Sequence, residues 1–88
     1  MASYVVVLQS HYLAAMPTAV VAPMLRAEPD RPAYTEVAVR LEFLGDAYIV
    51  SIAELAAINA RELGAPVGDL RDFEDPIRRA LERLFSGF

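Results

Sequence analysis

Three places in the chain carry residue types that could do chemistry. Arg40 and Glu42 stand two apart in an alternating run, so a strand would put a cation and a carboxylate on one face, as acid–base work on a phosphodiester would require. His11, next to Tyr12, is the single histidine and a candidate general base. In both cases a plainer reading carries more weight. Arg40 and Glu42 fit the solvent side of a half-buried strand, and His11 has no partner at a supporting spacing, so it reads as a loop histidine after a strand. The third place is Ser86-Gly87-Phe88, where an amphipathic segment ends on a glycine and a large aromatic. Its chemistry is that of binding: Gly87 lets the chain leave helical geometry, and Phe88 offers an apolar anchor.

The tip must be positioned by the segment before it. Asp75 can accept from free amides of a first helical turn and Pro76 suits a position without a required donor, so a helix is predicted to begin near Asp75. Ile77, Ala80, Leu81, Leu84, Phe85 and Phe88 recur at spacings of three, four and seven, while Arg78, Arg79, Glu82 and Arg83 take the opposite arc. A helix this short is marginal alone, so Leu81 and Leu84 must bury against something. The carboxylate of Phe88 at the negative pole weakens the last turn, so the tip is expected to order on binding and to contribute little to folding.

Upstream the pattern is one of strands. Tyr4-Val5-Val6-Val7-Leu8 is continuous and β-branched, as in a strand buried on both faces, and closes at Gln9-Ser10. Thr18 to Ala22 is a weaker strand, bracketed by Pro17 and Pro23. Arg26 to Pro32 reads as an exposed loop. From Thr35, the apolar Val37, Val39, Leu41 and Phe43 alternate with Glu36, Arg40 and Glu42, predicting a strand with one wet face. Leu44-Gly45-Asp46-Ala47 then turns the chain, with the Gly-Asp pair suited to positive φ, and Tyr48-Ile49-Val50 returns. Ser51-Ile52-Ala53-Glu54 is a capping-box pattern, and the residues up to Leu63 favour helix until Gly64. Short strands and a terminal helix in under a hundred residues imply one mainly β domain over 1–88, a small β barrel or curled sheet with a C-terminal α-helix packed on it.

Composition excludes several classes. The chain has 88 residues of which 56% are hydrophobic, more apolar surface than so small a body hides internally, which points to a homodimer. The net charge is -4 and all eight basic residues are arginine, so no basic cluster neutralises a phosphate backbone and direct nucleic-acid binding is disfavoured. Without cysteine and with one histidine, neither a thiolate nor a histidine metal centre is available, and no cofactor is implied. The nearly apolar run from Leu13 to Leu25 is too short for a bilayer and is interrupted by Pro17 and Pro23, so no membrane association and a cytoplasmic location are expected. Met16, Met24 and the valines read as core or interface filler.

Four blocks together resemble the CcdB family of toxins: Val5-Val6-Val7-Leu8-Gln9-Ser10; Thr18 to Leu25 with its Pro23; Ala57-Ile58-Asn59-Ala60-Arg61-Glu62-Leu63-Gly64-Ala65-Pro66-Val67; and Ile77 to Phe88. The order of the blocks and the ending Ile-x-x-Ala-Leu-x-x-Leu-Phe-x-Gly plus an apolar residue give the resemblance its specificity. It implies an SH3-like β barrel with a C-terminal helix, a symmetric homodimer with both tips side by side, and no enzymatic activity. In founding members the dimer binds the DNA gyrase A subunit and traps cleaved DNA as a topoisomerase poison, and a cognate CcdA-like antitoxin reverses it through a segment that folds on binding. Carried over by position, gyrase binding falls on Ser86, Gly87 and Phe88, and the dimer interface is assigned to Leu81, Leu84 and Phe85. The resemblance also implies that Ser51 to Ala57 is a short helical turn and Ile58 to Leu63 extended; this reading is preferred to the capping-box helix, because tertiary context overrides propensity.

Two departures from the family pattern stand out. The founding toxin has tryptophan third from the end, where this chain has Ser86, which offers no flat stacking surface. Relatives also carry a strand and loop before the block matched by Tyr4 to Ser10, whereas three residues precede it here, so an uncovered sheet edge is expected to invite pairing with another chain, the antitoxin among the candidates. The fold resemblance extends to MazF-like endoribonucleases, which keeps RNA cleavage as an alternative function. A non-toxic module that only binds an antitoxin is the other.

Overall fold

A computed structural model describes residues 4–10, 15–28 and 37–86. The elements in chain order are β1 (Tyr4–Val7), β2 (Thr18–Arg26), β3 (Ala38–Phe43), β4 (Asp46–Ser51), β5 (Ala56–Asn59) and α1 (Glu74–Ser86). All strand pairings are antiparallel, in the order β1-β2-β4-β3 with β5 also on β2. The fold is thus mainly β with a C-terminal helix, as expected. The sheet is not closed: among the described residues no pairing joins β1 to β3, so the barrel part of the expectation is not confirmed.

β2 organises the sheet. Its first half pairs with β5 through Thr18↔Asn59 to Val21↔Ala56, and its second half with β4 through Met24↔Val50 to Arg26↔Tyr48. Between these ladders stands Pro23. The Leu8 amide donates to the Val20 carbonyl at 2.9 Å, so Val20, Ala22 and Met24 turn their polar groups to β1, and Pro23 points the other way, into the gap between β5 and β4. Its missing N–H falls where no strand asks for one, so β2 runs on to Arg26 instead of stopping at Ala22.

β3 and β4 form the predicted hairpin, with register from Ala38↔Ser51 to Phe43↔Asp46. Val39 and Leu41 are buried, Arg40 and Glu42 exposed, and Tyr48, Ile49 and Val50 of the more central β4 are all buried. The turn is shifted by one residue from expectation. Its central pair is Leu44-Gly45, at φ 52° and 84°, and Asp46 already belongs to β4. Two positive φ values make a primed hairpin turn, in which Gly45 is at ease and Leu44 is not.

The helix suggested for Ser51 to Leu63 does not form. Ser51 makes no side-chain cap bond, and only Ile52–Glu54 winds into a short 3-10 turn that drives Ile52 fully into the core. The bounds implied by the resemblance also shift: the strand begins at Ala56, ends at Asn59, and Ala60–Glu62 is a second 3-10 turn. Asn59 explains that ending, because its side-chain oxygen accepts the Arg61 amide at 2.9 Å and diverts the backbone from the ladder. Pairing with β2 outweighs the propensity of an Ala- and Glu-rich segment.

β1 also differs from expectation. Tyr4, Val6 and Leu8 pack on the core, and the Tyr4 ring meets Phe43 and Tyr48 edge-on at 5.6 and 5.8 Å. Val5 and Val7 are 41% and 50% exposed, so the strand is buried on one face only. A β-branched run reports a preference for extended backbone, and β1 sits at the sheet edge. Where β1 ends, Gln9 continues its work: Nε2 donates to the Thr18 carbonyl at 3.3 Å and Oε1 accepts the Val20 amide at 3.0 Å.

Candidate functional site

The C-terminal helix is built as the sequence suggested, starting one residue early at Glu74 after a 3-10 turn over Arg71–Phe73. Asp69 Oδ1 accepts the Arg71 amide at 3.1 Å and the Phe73 amide reaches the Leu70 carbonyl at 2.9 Å, which feeds the chain into the helix. Glu74 and Asp75 lie in the first turn, favourable for the helix dipole, and Glu74 accepts from Arg78 at 2.7 Å one turn on. Pro76 falls within that turn, where its absent donor costs nothing.

Two faces of α1 meet different fates. Ile77 and Ala80 are buried, and Leu81 and Leu84 are half-buried against the same core, which contains Met24, Leu41, Val50 and Ile52. The residues assigned to a dimer interface are therefore not brought together as one open patch. Leu81 and Leu84 hold the helix to its own sheet, while Phe85 is 61% exposed. Helical geometry explains the split: at about 100° per residue Phe85 lies roughly a quarter turn from Ile77 and Leu84, on the flank of the stripe. Ser86 turns its hydroxyl back to the Glu82 carbonyl one turn earlier, closing the helix on itself. Gly87 and Phe88 lie outside the described residues. The surface that can be described at this end is Phe85 beside Ser86.

Among the described residues, β3 brings no further group to the alternative chemistry. Arg40 and Glu42 share the exposed side of β3, as an alternating strand requires, and no further cation joins them on that strand. His11 and Tyr12 lie outside the described residues. Among the described residues no cluster of histidine, cysteine or carboxylates could hold a metal, and no helix is long and apolar enough to cross a membrane.

A family model described as "CcdB protein" matches residues 1–87. The chain belongs to the CcdB family. Membership makes it a toxin of the toxin–antitoxin kind, with an antitoxin as the partner that such a family implies. Among solved structures, one described as "Crystal structure of Mtb toxin" is similar over 92% of this chain and 90% of that one, with a TM-score of 0.75 and 20% identity. At that identity the likeness speaks for the fold alone. No curated protein sequence matches the chain. Within this CcdB fold, sequence reasoning missed the part played by Gln9 and the outward turn of Val5 and Val7. The first was legible in principle, since a polar Gln-Ser pair directly after a β-branched run marks where a ladder must be finished by other donors.

Proposed function

We propose that this CcdB-family protein is a non-enzymatic toxin that acts by binding another protein, the DNA gyrase A subunit, through its C-terminal tip. The observation that supports this reading is the last turn of α1. The helix is secured to the sheet by Ile77, Ala80, Leu81 and Leu84, yet it carries a largely exposed phenylalanine next to the tip. An exposed aromatic on a fixed helix end is a poor use of apolar surface for folding and a good one for binding. Ser86, Gly87 and Phe88 form the proposed gyrase contact, and Phe85 the dimer contact beside it. Dimerisation through this end of the helix, with Phe85 as the contact and only the solvent-facing edges of Leu81 and Leu84 beside it, sets two tips side by side. A CcdA-like antitoxin removes the dimer from its target.

Mechanistically, the protein supplies no group to a bond-breaking step. The tip docks on gyrase A while the enzyme holds cleaved DNA, and that state is stabilised by mass action because the toxin binds it in preference to the resealed one. The experiment is a cleavage assay with purified gyrase and supercoiled DNA. Accumulation of linear DNA on adding the protein, and none with gyrase A absent, is the expected result. RNA cut by the protein alone, with no effect on gyrase, would overturn the proposal in favour of an endoribonuclease.

A further inference from the structure

Two edges of the sheet, β3 and β1, are treated differently by the sequence. β3 carries Arg40 and Glu42 on its exposed face, charges of the kind that guard an edge against pairing. β1, at the opposite edge, has no charged residue between Tyr4 and Val7. Its even-numbered residues spend their amides and carbonyls on β2, as the Leu8 to Val20 bond fixes. Val5 and Val7 therefore turn theirs to the outer edge, where no described strand pairs with them.

Each face of that edge is flanked by a groove with apolar side chains in its lining. On the side of Val5 and Val7 the groove is walled by Ile58, Leu63, Pro66 and Val67 and measures about 670 Å³. On the other side Val6 and Leu8 line a groove of about 350 Å³ with Ile77 and Leu81 of α1, and Arg71, Glu74 and Arg78 also line it. A strand laid against β1 would send alternate side chains to opposite faces. Residues opposite Val5 and Val7 would enter the first groove, and the residue opposite Val6 the second.

We infer that the outer edge of β1 is a docking site for an extended, apolar segment of a partner protein, bound by strand addition with alternate side chains in the two grooves. A second copy of this chain fits less well. An edge of four residues falls far short of the roughly 20–30 residues a side that a stable interface between folded bodies uses. A flexible segment can follow the edge and fill both grooves at once. Glu62, in the lining of the first groove, is a carboxylate that a basic residue flanking the segment can meet. The site is separate from the tip of α1 and does not depend on gyrase being the target.

The probe is a blocked peptide, Arg-Lys-Val-Leu-Val-Leu-Val-Lys-Arg, added to the full chain while amide exchange is followed residue by residue. The expected result is saturable binding that slows exchange at Val5 and Val7 and leaves Val6 unchanged. Val7→Pro removes an outward donor without touching the ladder to β2 and should weaken binding at least tenfold, roughly what losing one buried bond predicts. If that variant fails to fold, the peptide supplies the control. N-methylation of one alternate set of its amides should abolish binding, and methylation of the other set should be tolerated. Absence of binding, or tolerance of both methylated peptides, would overturn the inference. So would slow exchange at Val5 and Val7 in the free protein at every dilution, which would mean the chain covers its own edge. Protection that appears only on concentrating the protein would assign the edge to a second copy and equally overturn it.

Discussion

Replacing Phe85 by alanine separates holding the fold from binding. A phenylalanine side chain presents on the order of 200 Å². With 61% of the residue still in water, burial of roughly 80 Å² would be worth about 2 kcal/mol at ~25 cal/mol/Å², much of it shade from its own helix. The folding contribution left to Phe85 is about 1 kcal/mol, equivalent to a Tm shift of roughly 4–8 °C in a domain of this size. Ile77, only 9% exposed, is the contrast: Ile77→Ala opens a cavity between α1 and the sheet and should cost about 2–5 kcal/mol. If Phe85 anchors an association, Phe85→Ala adds a loss on the order of 2 kcal/mol there, about 30-fold in Kd. Thermal unfolding over a wide dilution range, beside sedimentation equilibrium, reads both. The wild-type Tm should fall on dilution as the dimer dissociates, and the Phe85→Ala Tm should stay flat, about 4–8 °C below the wild-type value reached at the lowest concentration. A Phe85→Ala protein that loses as much Tm as Ile77→Ala at every concentration, with association unchanged, would make Phe85 a residue of the fold and refute the reasoning.

Three further outcomes are expected. Leu84→Asp should unfold the protein or dissociate the dimer, because a lone carboxylate would enter the apolar seam beneath α1; a soluble dimer with unaltered circular dichroism would contradict the assigned helix face. Leu44→Asn should raise stability by about 1 kcal/mol, since asparagine tolerates the left-handed backbone that Leu44 adopts at φ 52°, and denaturant titration showing no gain would argue against that turn. Gln9→Ala should cost about 1–2 kcal/mol by leaving the Val20 amide and Thr18 carbonyl without their partner, seen as faster exchange at Val20 with the remote β3–β4 hairpin unchanged.

The parts of the fold visible in the sequence were those where pattern and propensity agree. The β3–β4 hairpin alternates cleanly because one face is wet, and α1 carries its stripe because one side alone meets the sheet. Ser51 to Leu63 misled because Ala and Glu favour helix locally, whereas the free edge of the first half of β2 and the core position of Ile52 decide the outcome. Pro23 looked like a terminator, and whether a missing donor matters depends on what lies opposite, which no local window contains. The apolar stripe placed Phe85 with Leu81 and Leu84, and only the angle at which α1 meets the sheet separates the half-buried leucines from the exposed ring. Family resemblance supplied the significance of Ser86, Gly87 and Phe88, for which periodicity alone offers a terminal helix and nothing more.

The central claim, that the tip binds a target and does not hold the fold, is tested most directly by deleting Gly87 and Phe88. The shortened protein and the intact one would be compared in melting temperature and in gyrase-dependent DNA cleavage, with Ser86→Trp alongside as the variant that restores a stacking ring. We expect the deletion to leave the melting temperature nearly unchanged while abolishing cleavage, and Ser86→Trp to strengthen cleavage. A deletion that unfolds the protein, or one that keeps full activity on gyrase, would contradict the account.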